Sequence, residues 1–194
     1  TKLMVSVQVE VAWGRLQGGT TYLGIDQDRS DFPFLDALGL SSYPFLAGFT
    51  DPDSVPLDYY SRLTQSAPLP LLVLEGGWSS VPTGSAAFTP QLQAEYLDRQ
   101  AAILDAAHAA ALFQITFTDL DVSGFPVPPG TSLGPFAHLG LVDSVLTPKP
   151  ALATCALFQM LGTWNDFNGP LLYLNDPTKY TLAFGLQQFL GAYG

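Results

Sequence analysis

The chain has 194 residues, and 7 Lys and Arg against 17 Asp and Glu give it a formal net charge of −10. Hydrophobic residues make up 47% and charged residues 12%, which excludes a disordered, solvating chain; so acidic a surface repels phosphate and excludes nucleic acid as a partner. The single Cys155 rules out an internal disulfide and a cysteine zinc site, and with His108 and His138 as the whole histidine complement neither metal nor cofactor is expected.

The chain enters its first predicted strand just after Thr1-Lys2, with no initiator Met or signal peptide ahead of it, a start that predicts a fragment. Residues 3–12 alternate, with Val5, Val7, Val9 and Val11 on one face and Ser6, Gln8, Glu10 and Ala12 on the other, which predicts a strand. A glycine-rich loop follows at Gly18-Gly19-Thr20-Thr21, then a short helix from Asp31 to Leu38 capped by Ser30 or Asp31. Leu38 to Tyr43 reads as a buried strand closed by Pro44, Asp51 to Ser54 as a turn, and Leu57 to Gln65 as a helix. Leu71 to Leu74 is a continuous apolar run bracketed by Pro68 and Pro70, the pattern of a strand buried on both faces of a parallel sheet. The clearest helix spans Pro90 to Ala111, with Thr89 as its cap, Pro90 in first position and Leu92, Tyr96, Leu97, Ile103 and Leu104 as its apolar stripe. Phe113 to Leu120 reads as a fourth strand, followed by a Pro/Gly-rich loop from Gly124 to Gly134. Strands alternating with helices predict an α/β fold with a parallel sheet.

Charge divides the chain. Residues 1–148 hold five cations against fifteen carboxylates, whereas residues 149–194 balance Lys149 and Lys179 against Asp166 and Asp176. The shift hints at two segments of different origin. The longest apolar stretch, Ala151 to Gly162, falls short of the ~20 residues that a membrane span needs.

Carboxylates stand at three predicted strand ends: Glu10, Glu75 and Asp119. In α/β barrels the carboxyl ends of the strands carry the active groups. Glu75 closes an apolar run and precedes Gly76, Gly77 and Trp78, so the chain can turn sharply beside a ligand and offer a flat ring. A carboxylate beside an aromatic suits a sugar site, and a retaining glycosidase needs two carboxylates ~5–5.5 Å apart. A helix cap or an arginine partner would explain Glu75 equally well. For Glu10 a structural role, bonded to Gln8 or Arg15, outweighs catalysis. Asp119 and Asp121 read as loop stabilisers, His108 as a surface or packing residue in its helix, and His138 has no evident base or nucleophile partner. No Gly-x-Ser-x-Gly elbow, Walker loop or dinucleotide fingerprint occurs.

Leu38-Gly39-Leu40-Ser41-Ser42-Tyr43-Pro44, Leu72-Val73-Leu74-Glu75-Gly76-Gly77-Trp78-Ser79-Ser80 and Phe117-Thr118-Asp119 together resemble the second half of a glycoside hydrolase barrel. The resemblance is to the endo-β-1,4-galactanase-like (β/α)8 group and covers residues 3–150. It implies a partial TIM barrel, strands five to eight with their helices, with Glu75 as nucleophile. It also implies Tyr43 and Trp78 near the sugar and an oligo- or polysaccharide as the partner; Trp13 and Asp119 are further candidate substrate contacts. Strands one to four, and the acid/base Glu that ends strand four, would then be absent unless Glu10 fills that place. A complete barrel takes ~250 residues.

The tail resembles a different family. Lys149-Pro150-Ala151-Leu152-Ala153-Thr154, then Leu161-Gly162-Thr163-Trp164-Asn165-Asp166-Phe167 and Gly169-Pro170-Leu171-Leu172-Tyr173-Leu174-Asn175-Asp176-Pro177, is similar to permease subunits of carbohydrate ABC transporters. That implies a short, mostly helical piece of a membrane protein that works with an ATPase and a sugar-binding protein. The two resemblances meet at Pro148 to Leu152 and imply a chimera of segments 1–148 and 149–194. The leading expectation is a carbohydrate-active hydrolase fragment, secreted or periplasmic. Its rivals are a membrane permease fragment and an inactive α/β remnant. Open half-barrel edges predict homo-oligomers, and the tail predicts weak membrane association.

Overall fold

A computed structural model describes residues 2–65, 68–82, 86–126 and 133–164. The chain divides into two compact units, Thr1–Leu152 and Ala153–Gly194. The first is a mixed α/β unit built on a four-stranded parallel sheet in the order β1-β2-β3-β4. β1 is Met4–Gln8, β2 Ala37–Ser42, β3 Leu71–Gly76 and β4 Ala111–Leu112. Because every pair is parallel, the carboxyl ends of all four strands lie at one end of the sheet, where Glu10, Tyr43 and Glu75 follow in the chain. Leu38, Leu40, Leu71 and Val73 form the centre of the core, and Tyr59, Tyr60, Tyr96 and Ile103 close over them.

β1 ends at Gln8, four residues before the predicted strand does, and Val9–Ala12 winds into a short helix, α1. A helical turn brings Val9, Glu10 and Ala12 inside together and sends Val11 out, where it is 45% exposed. The alternation had Glu10 on the face opposite Val9; the helical period puts both in the core. The predicted helix over 31–38 lies earlier, at α2, Asp26–Asp31. Pro33 disfavours helical geometry at Phe32 and ends α2 there, while Asp26 and Asp28 favour its first turn. Residues 57–65 form turns and a 3-10 segment, Ser61–Thr64, rather than an α-helix, and Tyr59 and Tyr60 point into the core.

α3, Pro90–Ala106, begins as predicted: Thr89 Oγ1 accepts from the Leu92 N–H at 3.1 Å, and Pro90 sits in the first turn. Its buried face is Gln93, Tyr96, Gln100 and Ile103, flanked by half-buried Leu92 and Leu97. It stops at Ala106 because His108 adopts left-handed geometry (φ 49°). His108 is exposed there, the surface alternative of the two expected, and it terminates the helix. The predicted fourth strand over 113–120 is also replaced. β4 pairs with β3 at Leu72 and Val73 only, and beyond Phe113 the chain takes a new partner. The N–H groups of Leu141 and Val142 donate to the Phe117 carbonyl, and Asp119 N–H donates to that of Val142.

α4 is the short Gly134–Ala137 turn, and α5, Pro150–Trp164, runs from the first unit into the second. In α5, Leu157, Phe158, Met160 and Leu161 are exposed. Among the described residues no helix is long and apolar enough to cross a membrane. The permease-like motif from Asn165 onward, and part of the predicted 124–134 loop, lie outside the described residues.

Candidate functional site

β2 and β3 keep a regular register from Leu38–Leu71 to Leu40–Val73, then slip by one so that Ser41 pairs with Glu75. The extra residue, Leu74, makes a bulge, which re-aims the side chains that follow it. Its consequence is chemical: Ser41 Oγ donates to Glu75 Oε1 at 2.5 Å. Glu75 is half-buried. It caps no helix, and its described partner is a serine rather than an arginine.

The glycines after it have a steric purpose. Gly76 lies at φ 153°, and a Cβ there would come within 2.3 Å of the Ser42 carbonyl oxygen. Only a residue without a side chain lets β3 lie this close to β2, and Gly77 N–H then donates to that same oxygen at 3.2 Å.

Glu10 is fully buried in α1. Its Oε1 accepts from the Tyr43 N–H at 2.8 Å and from the Tyr59 hydroxyl at 3.0 Å, while Oε2 meets no hydrogen-bond partner among the described residues. Burial pushes its carboxyl up to about 7, against the lowering influence of hydrogen bonds from its own backbone, Tyr59, Tyr43 and Gln8. The Gln8 contact matches the structural role expected for Glu10. Shut away from solvent, Glu10 cannot deliver a proton to a bound sugar, so the expectation that it acts catalytically is corrected to a supporting one.

Tyr43 links the two carboxylates. Its backbone holds Glu10, and its hydroxyl is pushed up to about 12 by burial first, then by the negative charges of Glu75 and Glu10. Its ring packs edge-on against Phe136 and Phe45. Behind it Tyr60 donates to Ser42 Oγ at 3.0 Å and accepts from Gln100 at 3.2 Å. Tyr59 and Gln100 carry no sequence motif, and only the fold identifies them; Ser41 lies in the motif at residues 38–44, which did not mark it as the partner of Glu75.

Trp78 and Trp13 belong to the core. Trp78 is 1% exposed, stacked on Tyr96 at 5.1 Å and packed against Phe88. It therefore offers no face to a sugar, contrary to expectation, because the turn at Gly76-Gly77 directs it inward. Trp13 is likewise buried, stacked on Tyr59 at 5.2 Å with its Nε1–H donating to the Tyr59 carbonyl at 2.9 Å.

Asp119 is fixed by three partners. Its Oδ1 accepts from Lys149 Nζ at 2.5 Å and from Gly140 N–H at 3.0 Å, and its Oδ2 lies 3.1 Å from His138 Nδ1. Lys149 also donates to Ser80 Oγ at 2.9 Å. His138 thus has the acidic partner that its sequence surroundings did not reveal, and Asp119 is spent on structure rather than held open for substrate.

No known protein-family profile matches the sequence. Over 54 residues the chain is 52% identical to Protein LplC of Bacillus subtilis, a match covering 27% of this chain and 18% of that protein. Over 59 residues it is 34% identical to the arabinooligosaccharides transport system permease protein AraQ of the same organism, covering 29% of this chain and 21% of the other. Among solved structures, the β-glucuronidase of an uncultured Clostridium species is similar at a TM-score of 0.51 and 12% identity, over 75% of this chain and 25% of that one. The Ruminococcus gnavus β-glucuronidase is similar at a TM-score of 0.50 and 15% identity, over 80% and 25%. The chain thus spans about a fifth of the curated relatives and a quarter of these glycoside hydrolases. The second likeness is one of fold.

Proposed function

We propose that the first unit is part of a glycoside hydrolase barrel, strands five to eight, in which Glu75 is the nucleophile. The observation that supports this reading is the placement of a half-buried carboxylate at the carboxyl end of a parallel strand, oriented by Ser41 and beside Tyr43. A carboxylate so held can attack an anomeric carbon while the bond to the leaving oxygen breaks. A natural leaving group also needs a proton donor, and buried Glu10 does not supply one. The substrate class in this reading is a β-galactoside within an oligo- or polysaccharide.

A 2-deoxy-2-fluoro-β-galactoside with a dinitrophenolate leaving group departs without protonation and leaves the sugar esterified to the nucleophile. Intact-mass and peptide spectrometry should find the added sugar on Glu75 and none in Glu75→Gln. Equal labelling of the Glu75→Gln protein, or no labelling of either, would sink the proposal.

A second reading, a sugar-permease segment in residues 149–194 joined to the barrel segment, is supported by the sequence likeness to LplC and AraQ. Co-purification of the intact chain from detergent with a transport ATPase is its expected signature. Purification alone, free of detergent, argues against it.

A further inference from the structure

On the carboxyl side of the sheet, the loop after β1 and the loop after β2 enclose a cleft of about 420 Å³, lined by Arg15, Gly18, Gly19, Thr20, Leu46, Ala47 and Gly48. Ligands of open parallel sheets bind at this side, outside the carboxyl ends of the strands. In a chain of net charge −10, a cation in such a cleft would ordinarily be paired with a carboxylate. Arg15 is not. Among the described residues its guanidinium enters no salt bridge, and its Cζ lies 5.0 Å from the centre of the Phe49 ring and 5.9 Å from that of Trp13. Both are cation–π distances, and a guanidinium set over a ring can still offer N–H donors to another group. Its backbone is also anchored, Arg15 N–H donating to the Glu10 carbonyl at 3.1 Å and Gly18 N–H to the Arg15 carbonyl at 3.3 Å. The glycines bring no side chains into the cleft, which leaves room for a sugar ring, and Thr20 adds a hydroxyl.

We propose that this cleft is a subsite for an acidic saccharide, with Arg15 receiving the carboxylate of a uronate residue through its planar fork. Two parallel N–H donors match the two oxygens of a carboxylate, and a neutral sugar has no group that uses the charge. This assignment rests on the carbohydrate reading above and names the substrate class for one subsite of it.

Calorimetric titration of the full chain with digalacturonate and with galactobiose tests it. Digalacturonate should bind at least tenfold more tightly than galactobiose at low salt and lose that preference as salt screens it. Arg15→Gln should remove the preference and leave galactobiose unchanged. Thr20→Glu, which sets a like charge against the ligand on an exposed loop, should also remove the preference. Equal affinity for the two sugars in the parent, or a preference that survives Arg15→Gln, overturns the subsite alone. Binding of neither sugar, together with no labelling of Glu75, overturns the carbohydrate reading as well.

Discussion

Glu10 is a carboxyl group held where charge is costly. Its folded-state value of about 7, against an ordinary 4.5, means that the folded chain keeps a proton which the unfolded chain releases between those two pH values. Stability therefore falls as pH rises through that window, by roughly 3 kcal/mol if Glu10 acts alone. Below pH ~4.5 both states are protonated at this site, and above ~7 both are ionised. Glu10→Gln keeps an acceptor for Tyr43 and Tyr59 and cannot ionise. The gap in unfolding free energy between this variant and the parent should widen in favour of the variant from pH 4.5 to 7. Urea midpoints at pH 5 and pH 8 measure it, and a gap that does not change with pH counts against this account.

At the scale of elements, glycine decides how closely β2 lies against its neighbours. A Cβ on Gly39 would approach Leu74 Cδ1 to 2.6 Å and the Val5 carbonyl to 3.1 Å. Gly39→Ala should cost about 1–3 kcal/mol, and adding Leu74→Ala should return part of it. Gly76→Ala is expected to cost more than Gly39→Ala, because the obstacle at 2.3 Å is the backbone oxygen of Ser42 and cannot rotate away. It also displaces Glu75 from Ser41, so sugar labelling should fall with it. The helix start is more forgiving: Thr89→Ala removes one cap bond, a loss of about 1 kcal/mol by thermal melting.

Across the whole first unit, the longest polar tie is that of Lys149 to Asp119 and Ser80. It joins the start of α5 to residues 30 and 69 positions away, with both ion-pair side chains less than a tenth exposed. Removing one partner leaves the other charge buried, so Lys149→Met should cost about 3–5 kcal/mol in urea unfolding. Lys149→Met with Asp119→Asn should cost less than the sum of the two singles. Apolar side chains remain uncovered near both ends of the sheet order, at Leu3 and Met4 beside β1 and at Phe113, Ile115 and Phe117 beyond β4. We expect self-association through these edges, and a concentration-independent monomer by light scattering would contradict it.

The sequence by itself determined the class of the fold, the central strands at 38–43 and 71–74, the start of α3 and the standing of Glu75 at a strand end. These rest on local chemistry: apolar runs of strand length, a Thr-Pro helix start and glycines where backbones must touch. The tertiary structure decided the rest. Whether Val9 continued a strand or began a helix depended on what Glu10 met in the interior, and Trp78 faced inward because Gly76 brought the chain against Ser42. His138 and Lys149 acquired meaning only when the fold carried them to Asp119, and Arg15 only when two loops placed it in a cleft with no ion-pair partner among the described residues. Those are contacts between residues far apart in the chain, and no local pattern encodes the face that a side chain finds there.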